Sequence, residues 1–448
     1  MVRRALLFSI VFSLATVGAA VAAFDADRVL PQDPQVRKGR LENGLTYYLR
    51  HNDRPAKRAE LRLVVNAGSV LEDDDQRGLA HFLEHMEFNG TENFASGDLV
   101  DFLESIGSRF GADLNAYTSF DETLYMLEIP TDHEGLLDKG FLVLRDWASR
   151  ALIAPEEVEK ERGVVLDEWR QGLGVRDRLR KIQMPVLLKN SRYAERLPIG
   201  DPEIIAHAPA ERIRAFYRDW YRPDLMAIVA VGDIDVDAVE TLIHDRFGDL
   251  EGPPHPRPRT VFDVPPHTEI LASAADDPEQ SVSQVSINFK RPHPDQGTVG
   301  SYRETLLTGL FSAMLNQRFG EISRKPDPPF LFASSSLGSL TRGTDRFAVF
   351  ATTQENGILP ALKAMMTEVA RVRAHGFTEA ELARAKASLI AAMDRSYSER
   401  DKTESNAFVG EYVRNFLTGE PFPGIEYEHD LTASLVPGID IGEVNAAV

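Results

Sequence analysis

His81, Glu84 and His85 are the residues of this chain whose types and spacing point most directly to chemistry. They lie in the run Gly78-Leu79-Ala80-His81-Phe82-Leu83-Glu84-His85-Met86-Glu87-Phe88. On a helix the three stand at i, i+3 and i+4 and project from one face. Two imidazoles one turn apart can hold a single Zn²⁺, and the carboxylate between them can take a proton from water activated there. The order H-x-x-E-H is the inverse of the commoner H-E-x-x-H. The plainer alternative is a core helix that happens to carry two histidines. With 11 His and 69 acidic residues in 448 positions, about 0.04 such matches are expected by chance. Leu79, Phe82, Leu83 and Met86 give the same helix an apolar face for packing. Imidazoles and a carboxylate clustered there without a metal would be costly, which favours the metal.

A zinc site needs a third protein ligand. Glu156 to Arg170 reads as a helix begun after Pro155, with Val158, Val165 and Trp169 as its apolar stripe. Glu161 and Glu168 are seven apart, two turns along one face. From the residues alone they are open to two readings, a solvated face or metal ligands, whereas Glu156, Glu157 and Glu159 read as solvated. The pair H-x-x-E-H and, further on, E-R-x-V-V-x-x-E resembles the pitrilysin/insulysin (inverzincin) family of zinc metallopeptidases, which also contains the mitochondrial processing peptidases. The resemblance implies one Zn²⁺ per chain held by His81, His85 and Glu168. It implies Glu84 as the catalytic base, with Glu161 supporting the site by fixing a ligand's orientation and basicity. It also implies an α+β fold of two homologous domains, each a mainly antiparallel sheet packed with helices. The runs His85-Met86-Glu87-Phe88-Asn89-Gly90-Thr91 and Gly111-Ala112-Asp113-Leu114-Asn115-Ala116-Tyr117-Thr118 are most similar to the exported bacterial PqqL-like peptidases of that family.

Asp113 to Pro130 reads as two adjacent strands, the first unusually polar. A polar strand is most often an exposed edge. In the resembled family the Asn-Ala-x-Thr strand lies beside the zinc and the substrate docks on it as an added strand. Asn115 and Ala116 are therefore substrate-binding candidates, since edge pairing recognises peptide backbone with little demand on side chains.

The elements that must position these residues follow in order. Met1 to Arg4 is a basic start, and Ala5 to Ala22 is an apolar run ending in the small residues Ala20-Val21-Ala22. This reads as a secretory signal peptide over 1–23, with a periplasmic destination. Residues 24–250 read as the zinc domain, with strands at Gly44–Arg50, Ala59–Gly68 and Met226–Asp235. Helices are expected at Leu99–Gly107, His133–Arg150, Pro209–Tyr221 and Val236–Phe247, and the helix carrying Glu168 is expected to continue through Arg176, Arg178, Arg180 and Lys181 to about Lys189. Glu72-Asp73-Asp74-Asp75, just ahead of the zinc helix, suit its free N–H groups and positive dipole end. Residues 251–266 form a stiff, Pro-rich linker, in which His255, like the nearby His267, reads as solvated.

Residues 267–448 read as the second homologous, non-catalytic domain, repeating the order of the first. Its strands are expected at Val285–Phe289, Phe330–Ser336 and Arg346–Thr352, with helices at Tyr302–Arg318, Leu359–Ala374 and from Glu379 into the 390s.

Composition bounds the partners. A formal net charge of −19, made more negative by loss of Arg3 and Arg4 with the leader, argues against nucleic acid or anionic lipid. No later segment is apolar enough to span a bilayer. With 0 cysteines, disulfides and thiolate metal sites are excluded, so zinc must use imidazole and carboxylate. The expected partner is a peptide or unfolded-protein substrate.

Two departures from the resembled family stand out. Its long members carry four such domains, and this chain stops before a second would finish, as expected of an amino-terminal half. The family also uses an Arg and, seven residues later, a Tyr to hold the substrate carbonyl. The corresponding positions here are Ser323 and Phe330, with Arg324 adjacent, so a second half or partner subunit is expected to supply that pair. The leading function is a zinc endopeptidase or oligopeptidase. The alternative is a non-catalytic subunit, against which the intact H-x-x-E-H counts, or a half-enzyme, either forming a proteolytic chamber with a partner. A zinc-storage or structural-zinc role would need a fourth protein ligand, and none is evident.

Overall fold

The computed structural model describes residues 25–106 and 114–446. The expected leader and the stretch 107–113, including Gly111 to Asp113 of the polar strand, lie outside the described residues.

The first unit contains β1 (Arg37–Arg40), β2 (Thr46–His51), β3 (Arg58–Val65), α1 (Leu79–Met86), α2 (Asp98–Ser105), β4 (Leu114–Thr118) and β5 (Thr123–Pro130). It continues with α3 (Leu136–Ser149), α4 (Pro155–Gln171), α5 (Val175–Leu187), α6 (Pro202–His207), α7 (Ala210–Trp220), β6 (Met226–Gly232) and α8 (Val236–Phe247). The strands form a six-stranded sheet in the order β1-β2-β6-β3-β5-β4. Every neighbouring pair is antiparallel except β2 and β6, which run parallel. β3 and β6 are central, and their aliphatic runs are buried almost throughout.

Alternation along the strands divides the sheet into two faces. Leu61, Leu63, Tyr125, Leu127 and Ile228 join Phe82 and Leu83 of α1, Phe141 and Trp147 of α3 and Phe216 of α7 in one apolar core. On the other face Tyr48, Val64, Leu124 and Val229 form a separate cluster.

The second unit contains β7 (Ser283–Pro292), α9 (Val299–Ser323), β8 (Phe332–Thr341), β9 (Thr344–Thr353), α10 (Ile358–His375), α11 (Glu379–Ser398), α12 (Ser405–Thr418), α13 (Ile425–Leu435) and α14 (Ile441–Ala446). Its antiparallel sheet, ordered β7-β9-β8, has three strands among the described residues, half the number in the first. The repeat of the first unit's order is thus partial.

The units exchange segments. Near the N-terminus the Leu30 amide donates to Gly297 O at 2.8 Å, and the Val299 amide donates to Arg28 O at 2.9 Å. In return Val409, Tyr412 and Val413 of α12 cover the second face of the first sheet. The boundary at the Pro-rich linker divides the sequence, but not the space. The linker itself is strapped down: Arg259 forms a buried ion pair with Asp121 at 2.9 Å, and Arg257 pairs with Asp73 at 2.8 Å. Among the described residues no helix is long and apolar enough to cross a membrane.

One expected helix is corrected. The helix of Glu168 does not run on to Lys189. It ends at Gln171, and α5 begins at Val175 after Gly172-Leu173-Gly174. Glycine's high conformational entropy makes it a poor helix interior residue, so two of them in three positions break the rod.

Candidate metal centre

α1 is held at its entrance by backbone fit and by a buried acid. Gly78 precedes it with φ +98°, and a Cβ there would lie 2.9 Å from the Gly200 Cα and 2.8 Å from Ile205 Cδ1. Only glycine admits this approach of the loop ending at Gly200. Glu72 is buried, and its Oε1 accepts from the Gly78 and Ala80 amides at 3.0 and 2.8 Å. Those are free donors of a helix start. Burial pushes the Glu72 carboxyl up to about 8 despite these bonds. The expectation that all four acids serve this end is corrected to Glu72 alone. Asp74 and Asp75 instead pair with Arg196 and Arg212, and Asp73 pairs with Arg257.

α4 brings the other acids. Pro155 occupies its first turn, and Val158, Arg162 and Val165 are its buried residues. Arg162 binds the carbonyls of Ile205 and Ala208 and lies over the Phe82 ring of α1 at 5.8 Å, so it locks α4 against α6 and α1 together. Sequence reading assigned Arg162 no role. Its signal was a cation sitting on an otherwise apolar stripe.

Five side chains meet between α1 and α4. His85 Nε2 lies 3.2 Å from one Glu168 oxygen, and His81 Nε2 lies 3.6 Å from the other. The candidate donor atoms of these three residues lie within 4.8 Å of one another. Nitrogen and oxygen donors about 2.0–2.2 Å from a tetrahedral zinc stand roughly 3.3–3.6 Å apart, so these side chains fit the ion with little movement. Two imidazoles and one carboxylate are also a donor set that leaves a fourth position open.

The electrostatics agree with that fit. Burial, with His85 adding, pushes His81 down to about 4, which leaves its imidazole neutral and able to donate a lone pair. Its 3.6 Å contact with Glu168 is therefore no ion pair at neutral pH. At His85 burial works downward, but Glu161 and Glu168 outweigh it and raise the ring to about 9. Glu161 Oε1 sits 2.8 Å from His85 Nδ1, orienting the ring so that Nε2 faces Glu168. Glu168, half-exposed, is held below the usual carboxylate range by its bond to His85.

Glu84 points to the same side without joining the donor set. Burial pushes it up to about 7, and its Oε2 accepts a 2.6 Å hydrogen bond from Thr118 Oγ1. Thr118 lies on β4, the edge strand of the sheet. Its role was not read from the sequence. Two residues beyond Ala116 it shares that residue's face of the strand, a usable signal. Asn115 and Ala116 lie opposite Met126 and Tyr125 on β5, and the Ala116 amide donates to Asn115 Oδ1 at 2.9 Å.

The residues expected in place of the Arg/Tyr pair cannot hold a carbonyl there. Phe330 is buried against Phe319, and the Ser323 hydroxyl donates to Gly320 O at 3.0 Å. Arg324 is exposed at the end of α9. His255 and His267 are exposed, as expected of loop residues.

Residues 47–178 match the family profile described as Insulinase (Peptidase family M16), and residues 207–389 match Peptidase M16 inactive domain. The chain belongs to the M16, pitrilysin-type peptidase family. A zinc protease PQQL-like of Arabidopsis thaliana is 39% identical over 408 residues, covering 91% of this chain and 40% of the relative. A probable zinc protease PqqL of Escherichia coli is 29% identical, covering 96% of this chain and 46% of the relative. The chain thus spans less than half the length of these relatives. The crystal structure of the first half of the periplasmic protease PqqL from E. coli superposes with a TM-score of 0.84 at 26% identity, covering 94% of this chain and 90% of that one. Within the M16 family the chain is PqqL-like. Its fold is that of two M16 domains, mixed α/β with largely antiparallel sheets.

Proposed function

We propose that this chain is the zinc-bearing part of an exported endopeptidase or oligopeptidase, with peptides or unfolded proteins as substrates. The observation that carries the proposal is the convergence of His81, His85 and Glu168, with a separate buried carboxylate, Glu84, on the same helix face. A zinc ion bound by those three residues would supply Lewis acidity toward a water and a peptide carbonyl.

The chain's own groups then have defined tasks. Glu84 accepts the proton of the attacking water at its carboxylate and passes it to the leaving amine. An acid raised by burial suits both steps, because it can hold the proton between them. Thr118 fixes the carboxylate's rotamer, and Glu161 fixes His85. The open edge of β4 at Asn115 and Ala116 would align substrate backbone beside these groups. Export to the periplasm rests on the leader-like start and on the periplasmic relative.

The half-enzyme reading has an observation of its own: no Arg/Tyr pair stands at the Ser323 and Phe330 positions. A second half or partner subunit would bring donors for the carbonyl oxygen.

Glu84→Gln tests the catalytic role. It is expected to keep zinc and fold while hydrolysis of a peptide library falls on the order of 10²–10⁴-fold. Near-normal turnover would move the base elsewhere.

A further inference from the structure

Beside the metal centre lies a cleft of about 560 Å³, whose walls include His81, Thr118, Glu168, Trp169, Arg176 and Arg180. This volume is in the range of small-ligand pockets. Gly172 and Gly174 at the break between α4 and α5 also line it, so the break turns the start of α5 toward the metal ligands.

α5 carries four cations, and they are not equivalent. Arg178 is committed to Asp277 at 2.6 and 2.7 Å and to Glu279 at 2.6 Å. Arg180 and Lys181 share one carboxylate, Asp177, at 2.5 and 2.9 Å. Lys181 also stands over the Trp169 ring at 4.7 Å. Arg176 is exposed in the cleft and, among the described residues, has neither a hydrogen bond nor an ion pair. Most exposed arginines are simply solvated. This one shares a concave wall with two of the proposed metal ligands, in a chain of net charge −19.

We propose that Arg176 is a specificity-determining residue, which receives a carboxylate of the peptide bound in this cleft. A planar guanidinium can take a carboxylate through two parallel N–H bonds, a geometry lysine cannot reproduce. The carboxylate belongs either to an Asp or Glu side chain near the scissile bond or to a free peptide C-terminus. The proposal rests on the peptidase reading above, and its test does not need turnover.

The zinc-loaded Glu84→Gln chain is titrated, by fluorescence anisotropy, with three labelled peptides of otherwise identical sequence. One has an internal Glu and an amidated C-terminus, one has Gln and an amide, and one has Gln and a free C-terminus. One of the two carboxylate peptides is expected to bind roughly 3–10-fold more tightly than the neutral one. Which one it is identifies the source. Arg176→Ala should abolish that preference, Arg176→Glu should turn it toward a peptide with an internal Lys, and Arg178→Ala should retain it.

Equal affinity for all three peptides, a preference surviving Arg176→Ala, or equal loss in Arg178→Ala would each overturn the proposal. So would the failure of every peptide to bind. Selective binding by a chain whose unsubstituted form cleaves nothing, even with a downstream half carrying an Arg/Tyr pair added, would leave the subsite standing and sink the peptidase reading. Zinc content and melting temperature of each variant show whether an effect is local.

Discussion

Glu84 and Thr118 are the pair on which the chemistry depends most narrowly. Glu84 is raised to about 7 by burial, and among the described residues the Thr118 hydroxyl is its one hydrogen-bond partner, at 2.6 Å. Thr118→Val keeps the shape and removes the donor. It is expected to lower kcat roughly tenfold, with KM and zinc content near those of the parent, because a lost bond to an ionised group is worth about 1.5 kcal/mol or more. An unchanged kcat would mean that α1 alone holds the base. At this scale the sequence was informative where the geometry is local. His81, Glu84 and His85 are adjacent turns of one helix, and Glu161 and Glu168 are two turns of another. Thr118 was missed because its partner lies 34 positions away, and no helical or strand period links them.

The element that sets the site is α1, and its entrance depends on Glu72. Removing that acceptor by Glu72→Ala should cost about 1–2 kcal/mol, the usual worth of a helix-start acceptor. Chemical denaturation measures it, and a change within error would show that Gly78 and the surrounding packing suffice. The pH dependence has a definite sign. The Glu72 carboxyl is raised from 4.5 to about 8 on folding, so its contribution is full below the ordinary carboxylate range and is lost as pH rises through 8. Glu72→Gln stays neutral, so its melting temperature should fall less between pH 5 and 8 than that of the parent chain. Parallel curves would contradict the assignment.

Elements with strong internal periodicity were legible. α8 falls on the expected residues, and α10 and α11 nearly so. The break before α5 was masked by a run of helix-favouring charged residues on either side of Gly172 and Gly174. α12 was not foreseen, because its role is to cover the far face of the first sheet, a tertiary fact with no local signature.

On the scale of the whole molecule, the two units exchange segments and meet through polar contacts as well. Arg342 reaches Glu122 at 3.0 Å and Asn66 at 2.9 Å across the junction. The zinc motifs were readable from the first unit alone, while the lacing was not, since each strap finds its partner only after both sheets have formed. The site nevertheless lacks a donor for the substrate carbonyl at the Ser323 and Phe330 positions. Such donors commonly contribute ~2.7–4 kcal/mol of transition-state stabilisation, which is on the order of 10²–10³ in rate. This chain alone should therefore hydrolyse peptides slowly, and adding a downstream half that carries an Arg/Tyr pair should raise kcat/KM by about that factor. Full activity from this chain as a purified monomer would sink the half-enzyme reading.

Beneath the catalytic expectations lies one claim, that His81, His85 and Glu168 are the complete protein ligand set of a zinc site. Zinc per chain, measured by elemental mass spectrometry after gel filtration, tests it most directly. The expected values are one equivalent in the parent chain and in Glu84→Gln, and nearly none in His81→Ala, His85→Ala and Glu168→Ala. Stoichiometric zinc in Glu168→Ala, or none in the parent chain after loading with the ion, would contradict it.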